Sequence, residues 1–139
     1  MQTKQKELVE AMELKTRTDG TKFTAFKDTA PKELVDLFLK HFEVRDTDYE
    51  IFSDACDIVG NLSDHTDDKL ADVDFYELAT DTASVYTADR LSYLTPYNQY
   101  EITDKLKEFD CDDIQSACAV WYDSEVCRAC ELLRDYILQ

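Results

Sequence analysis

The sequence predicts an all-α protein, a compact bundle of six or seven helices with room for one short N-terminal β element. Three observations carry that expectation. Gly and Pro together number four in 139 residues, too few for a loop-rich or all-β chain. Apolar residues recur three and four apart in stretch after stretch. At the C-terminal end, Ile114, Cys118, Trp121, Tyr122, Val126, Ala129, Leu133, Tyr136 and Ile137 hold one stripe along residues 112–138.

Taken in order, residues 3–16 predict a short helix, with Leu8, Ala11, Met12 and Leu14 as its apolar side. Asp19-Gly20 signals a turn. Residues 21–28 alternate weakly around Phe23 and Phe26, as a short strand or an extended arm would. Pro31 suits a first helical turn, and Leu34, Val35, Leu37, Phe38, His41 and Phe42 follow at helical spacing over 31–44. Thr47 and Glu50 fit a capping box for a helix over 48–59, with Ile51, Phe52, Ala55, Cys56 and Val59 inward and Gly60 in a left-handed position after its end. Further helices are predicted over 66–80 (Leu70, Val73 and Leu78 inside), 82–94, 97–109 and 112–138. On the last, Gln115, Asp123, Arg128, Glu131 and Asp135 are expected on the outer side.

Length and apolar content fit a single domain with its own core. Charge divides it. Residues 1–45 hold nine Lys/Arg against eight Asp/Glu and are near neutral; residues 46–139 hold six against 23. Within the acidic part, Asp46 to Asp81 contains twelve acids and one base, Lys69, interleaved with eleven large apolar residues. That apolar content separates it from a disordered acidic tail. The expected partner-binding acids are Asp46, Asp48, Glu50, Asp54, Asp57, Asp64, Asp67, Asp68, Asp72 and Asp74. Such a surface repels nucleic acid and anionic lipid and attracts basic proteins.

Other chemistries are weakly supported by the residues. Cys127-x-x-Cys130 lies in a helical pattern, and with Cys111 and Cys118 it points to three sides of one helix, which cannot close a tetrahedral metal site. These thiols are expected to pack in the core. The histidines are His41 and His65, and no G-x-S-x-G, P-loop or H-E-x-x-H motif accompanies them. No catalytic residue, cofactor or metal ligand is therefore nominated, and the expectation is a protein that is not an enzyme. Asp46-x-Asp48-x-Glu50 followed by Asp57 imitates EF-hand spacing, but Ile51 stands where that loop requires Gly. A weak divalent-ion site using His65 and its neighbouring aspartates stays as a minor alternative. Residues 1–15 lack an apolar signal region and no apolar run is long enough to span a bilayer, so the expected setting is a reducing cytoplasm.

Charge density suggests a more specific role. Duplex DNA carries one charge per ~1.7 Å of axis, and two antiparallel helices built from 36 residues would be ~25–30 Å long. A duplex of that length holds ~15–18 charges; the acidic stretch holds a net −11. Size, acidity, a helical pattern and the missing catalytic motifs together resemble small accessory proteins of bacteriophages, specifically the DNA-mimic anti-CRISPR and anti-restriction inhibitors. The stretch SVYTADRLSYLTPYNQYEITDKLKEF (84–109), about a fifth of the chain, is similar to segments of phage proteins. The resemblance carries over no defined functional residue. It implies a non-enzymatic inhibitor in the host cytoplasm whose carboxylates occupy the nucleic-acid groove of a Cas nuclease or restriction enzyme. A homodimer is left open, with Phe23 and Phe26 as a second contact. The alternative is an acidic interaction or phage accessory module with a partner that is not a nuclease.

Overall fold

In the computed structural model of the chain, the described residues are 3–62, 70, 72–83 and 114–139. They form α1 (Thr3–Val9), β1 (Met12–Thr16), β2 (Lys22–Phe26), α2 (Lys32–His41), α3 (Asp46–Gly60), α4 (Phe75–Ala83) and α5 (Ile114–Leu138). The all-α bundle of six or seven helices is thus corrected: among the described residues there are five helices and a two-stranded antiparallel sheet, a mixed α/β arrangement. Of the helix expected over 82–94, Thr82 and Ala83 form the end of α4; its remainder and the helix expected over 97–109 lie outside the described residues.

The correction begins at Met12. The apolar spacing of 3–16 fits a helix, yet the helix ends at Val9 and Met12–Thr16 pairs with Lys22–Phe26, Met12 opposite Phe26 and Thr16 opposite Lys22. The turn decides this. Gly20 takes φ 89°, donates its N–H to Arg17 O at 3.0 Å, and Arg17 N–H meets Thr21 O at 2.8 Å. A glycine in the left-handed region closing a three-residue loop is a hairpin signature. Asp19 Oδ1 accepts both the Thr21 N–H and its hydroxyl, which holds the Asp19 carboxyl below its usual range. Leu14, counted inward on a helix, is 67% exposed on the strand.

The hairpin is anchored through Phe26, whose ring meets Phe38 of α2 and Tyr49 and Phe52 of α3 edge to face at 5.4–6.1 Å between centroids. Phe42 completes this group, stacked on Phe38 at 5.3 Å. The rest of the core lies between α3 and α5: Ile51, Ala55, Cys56 and Val59 on one side, Tyr122, Val126, Ala129 and Leu133 on the other. Phe75 and Ala79 bring α4 onto α5. The predicted inward residues of α3 are all buried.

Two glycine and cap details differ from expectation. The first turn of α3 is not capped by Thr47. Its cap is Arg45, with Asp48 reaching back to the Arg45 N–H at 3.0 Å and accepting the guanidinium at 3.0 and 3.3 Å. Gly60 does not terminate the helix in a left-handed conformation; it closes α3 where α1 crosses. A Cβ there would sit 2.6 Å from Val9 Cγ2, 3.2 Å from Val9 N and 3.3 Å from Gln5 O. Gln5 Nε2 donates to Val59 O at 3.0 Å and to Leu62 O, satisfying carbonyls at the end of α3. Gly60→Ala is expected to push α1 away and cost about 1–3 kcal/mol of unfolding free energy, read by urea titration. An unchanged midpoint would show that α1 does not need this close approach.

Candidate functional site

Helix α3 sorts its acids by side. At 100° per residue, Glu50, Asp54 and Asp57 fall within about 60° of arc, opposite the buried Ile51, Phe52 and Ala55. Asp57 is exposed and Glu50 and Asp54 are half-buried. The Tyr122 hydroxyl of α5 donates to Asp54 Oδ2, so this carboxylate is fixed at the α3–α5 seam. Although Asp57 is exposed at the surface, desolvation by the atoms packed around it, and then the charge of Asp54, raise its carboxyl above the ordinary value.

The remaining nominated acids divide. Asp48 is 2% exposed and held by Arg45, so its charge is spent inside the α3 cap. Asp46 opens α3. Asp72 and Asp74 are exposed ahead of α4, and Asp74 Oδ1 accepts the Glu77 N–H at 3.1 Å as a helix-end acceptor. Asp64, Asp67 and Asp68, like His65, lie outside the described residues. The EF-hand-like spacing from Asp46 is continuous helix in the structure, not a loop.

Acids from three separate parts of the chain bear electrostatically on two thiols of α5. Burial, then Cys127, Asp54 and Glu131, push the Cys130 thiol far above its ordinary value. Burial pushes Cys127 up to about 11, aided by the charge of Glu131, its hydrogen bond to Glu131 Oε1 at 3.7 Å, and Asp74, against a smaller opposite pull from Arg134. Asp54 of α3, Asp74 at the head of α4 and Glu131 of α5 therefore act on residues one helical turn apart. The thiols are protonated at neutral pH and are poor nucleophiles. Cys56 and Cys130 are buried and Cys127 half-buried, all free. Cys111 lies outside the described residues. Among the described residues, no group of three or more His, Cys, Asp or Glu is placed to hold a metal ion.

Sequence reasoning missed Glu131 as a partner of this acidic surface because it was counted only as an outer residue of α5. It also placed Asp123 outside. Asp123 is 7% exposed and its Oδ1 has no hydrogen-bond partner among the described residues. Burial pushes its carboxyl up to about 6. With the folded value above the unfolded ~3.9, stability is fully present below about pH 4 and declines as pH rises through about 6. Asp123→Asn is expected to raise stability at pH 8 by on the order of 1–3 kcal/mol, with the gain shrinking toward pH 4. Thermal melts of both proteins at the two pH values check this; an equal gain at both would assign the effect to something other than ionisation.

No described helix is long and apolar enough to cross a membrane. Comparison with protein-family models, curated proteins and solved structures returns no significant match for the chain.

Proposed function

We propose that this protein is a non-enzymatic, phage-encoded inhibitor that binds a nucleic-acid-binding defence protein of the bacterial host, a CRISPR-Cas nuclease or a restriction enzyme. Its acidic surface takes the place of a nucleic-acid backbone. The observation that supports this reading is that Asp54, Asp74 and Glu131, from three parts of the chain, bear electrostatically on the same two α5 thiols, with Asp57 beside Asp54 on the outer side of α3. Arg and Lys side chains that grip phosphates can grip carboxylates in charge-assisted hydrogen bonds. An acidic field also speeds encounter with a basic groove. Asp48 and Asp123 are left out of this surface because both are buried.

Affinity capture from a bacterial lysate, followed by a nuclease assay on the captured protein, tests the proposal. The expected result is a nuclease whose cleavage stops when this protein is added, with capture lost steeply as salt rises. Capture of a protein with no nucleic-acid-binding surface, retained at high salt, would instead assign the chain to the acidic accessory modules.

A further inference from the structure

A groove of about 500 Å³ lies between α2 and the end of α5, on the side of α5 away from Cys127 and Cys130. Its apolar lining is Leu37, Leu132 and Tyr136, and its carboxylates are Glu33, Asp36 and Asp135. Lys40 offsets one of these charges and His41 adds none when neutral. Glu33 and Asp36 lie one turn apart on α2 and make no hydrogen bond or ion pair among the described residues; Asp135 is met only by its neighbour Arg134, at 3.2 Å. Three acids around an apolar floor suit a ligand that is cationic at its tip and apolar along its stem.

The chain itself displays that chemistry at Tyr136. The Lys4 ammonium sits 4.9 Å from the Tyr136 ring centroid and donates to Tyr136 O at 3.2 Å. Glu7 and Glu33 both press on the Tyr136 hydroxyl, which accordingly titrates above its ordinary value, with burial as the larger cause. An ammonium is therefore already stabilised on this ring in a negative surround.

From the groove's apolar floor, its excess of carboxylates and the neighbouring Lys4 on the Tyr136 ring, we infer that the α2–α5 groove is a docking site for an amphipathic basic segment of a partner protein. Leucine-like side chains of that segment pack on Leu37 and Leu132, and its Lys or Arg heads reach Asp36, Glu33 and Asp135. Long cationic side chains lay their methylene stems on such a floor while the charged end stays at the rim. On α5 the groove's Asp135 lies one turn from Glu131, so the two surfaces adjoin there, while Asp57 lies on α3; the inference stands whether or not the acidic surface mimics DNA.

The test is an NMR titration of the isotope-labelled full chain with a synthetic amphipathic helix, leucine on one face and arginine on the other. Because any basic peptide is drawn to a chain of charge −16, two variants of equal charge change are compared. The first is Asp36→Lys with Asp135→Lys; the second is Asp57→Lys with Asp72→Lys, neither of which lines the groove. All four positions are exposed. The expected result is saturable shifts at Leu37, Leu132 and Tyr136, an affinity loss of roughly tenfold or more in the groove variant, and a loss under about threefold in the other, since a contact charge matters more than a distant screened one. Equal losses in the two variants, shifts centred on α3, or no saturation below about 1 mM peptide would overturn the inference.

Discussion

Phe38→Ala is expected to lower the unfolding free energy by about 3–5 kcal/mol, the largest stability effect of any single truncation in the described residues. Phe38 is 0% exposed, and four aromatic rings surround it: Tyr49 at 4.6 Å, Phe52 at 5.2 Å, Phe42 at 5.3 Å and Phe26 at 5.4 Å between centroids. These rings come from β2, α2 and its C-terminal flank, and α3, so one truncation loosens three elements. The cavity term adds to the lost transfer energy because the neighbours are held by their own helices and cannot collapse fully. Against a total stability of 5–15 kcal/mol for ordinary domains, the variant would sit near its folding threshold. A urea titration with unchanged slope and a shifted midpoint checks this. A loss under about 1 kcal/mol would mean that the aromatic group is not a unit of the core.

The second large effect concerns binding. Asp57→Lys, Glu131→Lys and Asp74→Asn, combined, are expected to weaken the captured partner's binding by on the order of 100-fold while leaving the far-ultraviolet circular dichroism unchanged. The substitutions are chosen so that the fold survives. Asp57 and Glu131 are exposed, and Asn at 74 retains an acceptor for the Glu77 N–H. Asp54 is excluded because its bond from Tyr122 joins α3 to α5, so reversing it would test the fold and the surface together. Undiminished binding by a folded triple variant would remove this surface from the interface.

How much of this was legible beforehand varies with the range of the interaction. Helices α3 and α5 could be read because their apolar stripes are long and local: Ile51, Phe52, Ala55, Cys56 and Val59 needed only a 3.6-residue period. The hairpin was only half legible. Phe23 and Phe26 suggested a strand, but an isolated strand cannot satisfy its backbone, so it demanded a partner that the 3–16 stripe concealed. Asp19-Gly20 marked a turn between the two, but the pairing with Met12–Thr16 is seen only in the fold.

The acids show the same limit. Helical spacing put Glu50, Asp54 and Asp57 on one side of α3, and it equally counted Asp48 as a surface charge. Nothing in the local pattern says that Arg45 folds back to hold Asp48 at the cap, or that Asp123 sits inside. The convergence of Asp54, Asp74 and Glu131 depends on how α3, α4 and α5 pack, which composition does not encode. Arg128, expected on the outside of α5, instead lies 4.4 Å from the centroid of the Phe42 ring and donates to His41 O at 3.2 Å, tying α5 to the end of α2.

Mimicry requires that this acidic surface and a nucleic acid compete for the same basic groove. The direct measurement is equilibrium competition, using fluorescence anisotropy of a labelled duplex bound to the captured nuclease. Mutually exclusive binding predicts complete displacement of the duplex, with a half-displacing concentration that rises in proportion to the DNA present. A ternary complex, in which the duplex stays bound at saturating protein, would contradict it.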